Sequence, residues 1–249
     1  MKDVKDIFSI QSSTYKKYRP TYPPELYIEI LSYVEHKNEC WDCGTGNGQV
    51  AVELSKFFRQ VQASDISDNQ IKNATRKDNI NYFITRAEDT AFADDQFDLV
   101  TVGQAVHWFD FDAFNYEVKR VTKQGGLIAI WGYGLLRIDK EVDKLIDHFY
   151  TDIIASYWDK ERRHIDNAYS SIKFDFEEIK TKNDLTIDTG WHLSQLEGYL
   201  NSWSSVQHYK AQNSGVNPVD ELIEKIGQYW EADIKKRVQF PIFLRMGRL

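Results

Sequence analysis

The sequence is poor in cysteine, with only Cys40 and Cys43 among its 249 residues. Two thiols cannot build a disulfide framework, and with no second pair they cannot close a structural zinc site. On a strand, positions three apart face opposite sides, so Cys40 and Cys43 read as two buried small residues rather than a redox pair. Long apolar runs are also missing, and the charged stretch 1–10 has no apolar signal core. The expectation is a cytoplasmic protein that makes no use of a membrane. Basic charge is in the minority, 31 Lys and Arg against 38 Asp and Glu, for a net charge of -7. A pI near 5.4 argues against broad contact with a phosphate backbone, so no nucleic-acid partner is expected. Internal repeats and low-complexity segments are absent.

Aromatic residues are plentiful, at 14% with seven Trp and fourteen Tyr. They suggest a large core or an aromatic-lined cavity. Hydrophobic content of 42% against 28% charged supports a buried core. The length suits a single α/β domain over residues 1–249.

The hydrophobic pattern alternates between strand and helix from residue 40 to 131. Strands are expected at the end of 40–42, over 60–64, 80–85, 97–103 and 127–131. Helices are expected over 25–36, 50–58, 70–76 and 111–121. This order implies βαβ units and a parallel sheet. Beyond Gly134 the pattern predicts a long amphipathic helix over 140–160, a strand within 174–187, helices over 193–202 and 218–232, and a last strand over 238–244. Residues 1–24 read as an N-terminal arm, and 135–172 as an inserted cap.

The richest local signal is Asp42-Cys43-Gly44-Thr45-Gly46-Asn47-Gly48, between a strand and a helix. Glycines there permit a sharp turn and let the backbone approach a ligand. The spacing is G-x-G-x-G, and Gln49 stands where a nicotinamide-binding fingerprint wants its third glycine. In dehydrogenases such a helix start receives a phosphate, whereas in methyltransferases it takes the amino-acid end of S-adenosylmethionine, whose ammonium group Asp42 suits; the turn alone separates the two only weakly. Asp65, at the end of the second strand, suits the hydroxyls of a ribose. Glu88, in Arg86-Ala87-Glu88-Asp89, suits the adenine amino group. The loop Gln104-Ala105-Val106-His107-Trp108-Phe109 follows the fourth strand, where this architecture binds ligands. Cys40 and Cys43 aside, nothing suggests a metal, and none is expected.

These elements in this order resemble the class I S-adenosylmethionine-dependent methyltransferases, most closely small-molecule enzymes of the trans-aconitate methyltransferase type. Tyr15-Lys16-Lys17-Tyr18-Arg19-Pro20-Thr21-Tyr22-Pro23 is similar to that group's Y-x-x-x-R-P-x-Y-P segment. The 104–109 loop is similar to its Q-A-x-H-W-F signature. Residues 201–205 and 240–242 resemble its C-terminal half. The resemblance implies a Rossmann-like fold, a seven-stranded, mostly parallel sheet with the last strand antiparallel, helices on both faces, and a lid made by the arm and the cap. It further implies that Gly44, Thr45 and Gly46 face the methionine part and Asp65 the ribose. Ile66, Gln70, Ala87 and Glu88 would lie near adenine, although Gln70 departs from a common Met. Gln104 and Ala105 would lie near the sulfonium, and Tyr15 and Arg19 would close over it.

S-Adenosyl-L-methionine is thus the expected cofactor, and a small molecule such as a carboxylate the expected methyl acceptor. His107 is the candidate general base, since it is the histidine of the signature loop. Tyr18, Trp108, Tyr133 and Trp203 are candidate walls of the acceptor site. Two other functions stay open on the sequence: a non-catalytic cofactor-binding protein and a nicotinamide-dependent oxidoreductase. Monomer and homodimer are both compatible with it.

Overall fold

The computed structural model describes residues 18–181 and 184–249. Helix α1 (Pro24–Ser32) begins on Pro24, whose missing N–H costs nothing in a first turn. There follow β1 (Glu39–Cys43), α2 (Gln49–Leu54), β2 (Gln60–Asp65), α3 (Asp68–Lys72), β3 (Ile80–Ile84), β4 (Phe97–Gly103), α4 (Phe111–Val121) and β5 (Thr122–Tyr133). Side-chain oxygens cap two of these helices: Ser67 accepts from Gln70 N–H, and Asp110 from Ala113 N–H. The second half supplies α5 (Lys140–His148), α6 (Arg162–Asp166), β6 (Glu177–Ile179), β7 (Thr186–Trp191), α7 (Leu193–Asn201), α8 (Ser204–Gln212), α9 (Pro218–Ile226) and β8 (Lys236–Arg248).

The strands lie in the order β3-β2-β1-β4-β5-β8-β6. The pairings from β3 through β5 are parallel. β8 runs antiparallel to β5, from Leu127 opposite Arg248 to Tyr133 opposite Ile242. β4 is buried along nearly its whole length, as a central parallel strand with both faces covered must be. Its side chains alternate between two cores. Leu99 packs with α1 and α2 through Leu26, Ile30 and Leu54. Val100 and Val102 pack on the other face with Phe114 and Val118 of α4 and with Tyr169. From β1 the chain moves outward to β2 and β3, then returns to β4 and β5 on the other side. A crevice therefore opens at the carboxyl ends of β1 and β4, where that winding reverses.

The second half departs from the sequence reading in three respects. The described residues hold eight strands rather than seven. β8 spans thirteen residues, more than one edge partner covers, so β6 pairs with its end and β7 with its start. The strand expected within 174–187 is accordingly two strands. The helix expected over 140–160 stops at His148 and passes into a wider turn at Phe149–Ile153 and a short turn at Ala155–Tyr157. That unwinding brings Phe149, Tyr150 and Trp158 all against Trp203, with ring centroids 6.4, 5.9 and 5.4 Å away. Lastly, packing divides the stretch 135–172. Leu136, Val142, Ile146 and Ile154 join a third core with residues 187–240, whereas Ile165, Tyr169 and Ile172 pack on the sheet. α8 had no clear periodic signal.

Candidate active site

The crevice holds a cavity of about 340 Å³. One wall is the turn between β1 and α2. Gly44, Gly46 and Gly48 all have positive φ there, at 68°, 55° and 85°. A Cβ on Gly44 would stand 2.6 Å from Ala105 Cβ, so only glycine lets the turn meet the loop after β4. The same wall carries Asp42 at the end of β1. Its carboxylate is almost fully buried and accepts from the Thr45 hydroxyl at 2.5 Å and the Thr101 hydroxyl at 3.0 Å. Burial raises its pKa from 3.8 to about 7, against the opposing pull of those two hydroxyls.

Asp65 ends β2 and is tied into the turn. One oxygen accepts from Gly46 N–H at 2.8 Å and the other from Ser67 N–H at 2.9 Å. Gln70, in the first turn of α3, is only 3% exposed, and its Oε1 has no hydrogen-bond partner although it lines the cavity. Glu88 accepts from Asp110 N–H at 2.9 Å, which fixes the loop after β3 to the start of α4. That loop is held again by Glu117 and Arg120. Glu117 accepts from Thr90 N–H at 2.9 Å, and Arg120 donates to Glu117 at 2.7 Å and to Phe92 C=O at 2.8 Å. Although its burial opposes ionisation, hydrogen bonds from Arg120 and Thr90 leave Glu117 a net pKa below the usual carboxylate value.

Gln104, just past the end of β4, has a φ of 56°, a conformation rare outside glycine. Two hydrogen bonds hold it there: its N–H donates to Trp131 C=O at 2.8 Å, and its Oε1 accepts from Tyr133 N–H at 3.0 Å. The roof on this side includes Arg19, whose Nη1 donates to Tyr133 Oη at 3.0 Å. Gln49 anchors the arm by donating to Pro20 C=O at 3.4 Å.

Of the residues singled out from the sequence, the cavity brings together Arg19, Asp42, Gly44, Thr45, Gly46 and Asp65. It also gathers Ile66, Gln70, Ala87, Glu88, Gln104, Ala105, Trp108 and Tyr133. Tyr15 lies outside the described residues. Three candidates fall elsewhere. His107 is buried behind the wall, with Nδ1 3.0 Å from the Tyr169 hydroxyl. Burial, reinforced by the charges of Arg162 and His164, lowers its pKa to about 3. The candidate base is thus a neutral group making a structural hydrogen bond. Trp203 is core, ringed by Phe149, Tyr150, Trp158 and Tyr199. Tyr18 lies against Gly198 of α7, whose missing side chain makes room for its ring.

Sequence reasoning missed Tyr22, Arg86, Phe109, Asp159 and Glu161, which also line the cavity. Phe109 and Arg86 stood inside quoted motifs. Asp159 lies within, and Glu161 just after, a stretch read as one continuous helix, and nothing in its periodicity singled them out.

A glycine-rich turn that lets the backbone come close and a carboxylate at the end of each of β1 and β2, with the buried Gln70 beside them, suit a ligand that carries an ammonium and several hydroxyl or amino donors. S-Adenosylmethionine has such groups.

Comparison with known proteins gives the same answer. Residues 41–130 match the family described as methyltransferase domain. A Dictyostelium discoideum protein described as a methyltransferase is 35% identical over 250 residues, covering 98% of this chain and 95% of its own. A structure from Anaeromyxobacter dehalogenans, described as a type II methyltransferase, superposes with a TM-score of 0.86 at 34% identity, over 93% of this chain and 98% of that one. A Saccharomyces cerevisiae protein described as an S-adenosylmethionine-dependent methyltransferase is 25% identical over half of this chain and 46% of its own. The chain belongs to the class I S-adenosylmethionine-dependent methyltransferases.

Proposed function

We propose that this methyltransferase acts on a small molecule held at the β4–β5 end of the cavity, beside the cofactor. The bound cofactor supplies an activated methyl group on a sulfonium. The chain's own residues then need to bind, orient and exclude water. Asp42, Gly44, Thr45 and Gly46 hold the amino-acid end, Asp65 the ribose, and Ile66, Gln70, Ala87 and Glu88 the adenine. Gln104 and Ala105 flank the reacting centre. Arg19 closes over it. The chain works as one domain, whose cavity is covered by Arg19, Pro20 and Tyr22 of the arm and by Asp159 and Glu161 before α6.

The observation that carries this reading is the composition of the cavity wall. Seven separated segments meet there: the arm, the ends of β1 and β2, the loops after β3 and β4, β5, and the segment before α6. An acceptor must enter a walled space, which suits a metabolite better than a polymer. The net charge of -7 weighs the same way against nucleic acid. Trp108 and Tyr133 wall the acceptor, and Tyr22 joins them in place of Tyr18 and Trp203. Arg19 gives a carboxylate acceptor, the class suggested by the likeness to the trans-aconitate type, a cation to face. With His107 behind the wall, no histidine base is assigned. The absence of a membrane-length apolar helix among the described residues is compatible with a cytoplasmic enzyme. Turnover of methyl-labelled S-adenosylmethionine against panels of small acids, amines, proteins and RNA tests this. Label should appear in a small-molecule product; label found only in macromolecules would overturn the reading.

A further inference from the structure

Past Gln104 and Tyr133, the cavity wall is completed by Asp159 and Glu161. Among the described residues, no salt bridge or side-chain hydrogen bond engages either carboxylate; the backbone carbonyls of both are used, accepting from Arg162 and His164 N–H at 2.9 and 3.0 Å. Asp159 Oδ2 is also sealed from solvent and has no donor within reach. A carboxylate oxygen stripped of water and given no donor in return is costly, and buried oxygens of this kind normally have a partner. What fills the cavity meets the rest of the Asp159 side chain and Glu161, both of which line it, rather than the sealed Oδ2.

The position of this wall indicates which ligand. The carboxylates suited to adenosine, Asp65 and Glu88, lie at the ends of β2 and β3. Asp159 and Glu161 precede α6, and α6 packs over the 106–108 turn after β4 and sets His164 edge-to-face with Phe111 at 5.3 Å. They face the other half of the crevice. Tyr22, Trp108 and Tyr133 also line the cavity, and aromatic faces attract cations. We propose that the methyl acceptor is recognised through a protonated amine that pairs with Asp159, with Glu161 adding a second negative charge. This rests on the reading that the β4–β5 end of the cavity holds the acceptor. A carboxylate on the same molecule would face Arg19.

The test is titration calorimetry of phenethylamine and its uncharged analogue 2-phenylethanol into the protein saturated with S-adenosylhomocysteine. The wild type should bind the amine at least about 10-fold more tightly, which is ~1.4 kcal/mol. Asp159→Asn should abolish that preference and leave the affinity for S-adenosylhomocysteine unchanged, which also reports that the variant is folded. Failure of the amine to bind, equal binding of amine and alcohol, or a preference that survives Asp159→Asn would overturn the proposal. So would loss of S-adenosylhomocysteine affinity in Asp159→Asn, which would move Asp159 to the cofactor half. Competition between phenethylamine and S-adenosylhomocysteine, instead of binding alongside it, would overturn the underlying acceptor-site reading.

Discussion

Asp42, proposed above to face the cofactor's ammonium, shows what burial does to a single carboxyl group. It is 1% exposed, and burial lifts its pKa from 3.8 to about 7. A carboxyl raised in the fold binds more protons native than unfolded between those two values, so its contribution to stability is lost as pH rises from about 4 to about 7. The ligand-free protein should therefore carry a stability decline across that window that Asp42→Asn removes, measured by thermal unfolding against pH. Cofactor affinity should run the other way and strengthen as pH rises toward 7, since the ammonium needs the ionised form. Gln70 makes a second prediction. Its buried Oε1 has no partner, so Gln70→Met should stabilise the ligand-free protein by about 1 kcal/mol and weaken S-adenosylhomocysteine binding roughly fivefold. Denaturant unfolding and calorimetry check the two signs separately. His107 makes the contrasting case. With its pKa near 3 it stays neutral over the working range, so no inflection in rate near pH 6.5 should belong to it. His107→Ala removes a hydrogen bond to the Tyr169 hydroxyl and should cost about 1–3 kcal/mol of stability while leaving the shape of the pH–rate profile intact.

At the scale of elements, the loop between β3 and β4 is held mainly by side chains. Glu117 and Arg120 of α4 clamp its backbone at Thr90 and Phe92, just beyond Glu88. Glu117→Gln should cost about 2 kcal/mol by weakening charged hydrogen bonds, and should weaken cofactor binding through the loop it positions. Because those bonds lower the Glu117 pKa, that stability is present above the usual carboxylate pKa and lost as pH falls through the lowered value. Urea unfolding at pH 7 and pH 3 should show a smaller difference between variant and wild type at the lower pH. The elements also differ in how far the sequence revealed them. β1 to β5 were readable because buried parallel strands are short apolar runs punctuated by glycine turns and helix caps. The site residues on those strand ends were readable for the same reason, since the architecture fixes where strand ends go. The half after Gly134 was not. A helical pattern runs through 140–160, but the rings of Phe149, Tyr150 and Trp158 unwind it to reach Trp203, a contact across more than forty positions. Asp159 and Glu161 were invisible for that reason, and His107 was misread because its burial depends on Tyr169, far along the chain.

For the molecule as a whole, one sheet does two jobs. Its central strands bury cores on both faces, and the reversal of winding between β1 and β4 opens the cavity at their carboxyl ends. The third core, built from α5, β7 and the last three helices, supports the start of β8 and the outer wall. The account stands on the claim that this cavity, with Asp65 knitting the glycine turn to β2, binds the cofactor. Titration calorimetry of S-adenosylhomocysteine into the wild type and into Asp65→Ala tests it most directly. One site per chain should be seen, NAD should give no binding, and Asp65→Ala should lower the affinity at least about 10-fold, a loss of ~1.4 kcal/mol. No binding to the wild type, or equal binding to Asp65→Ala, would contradict it.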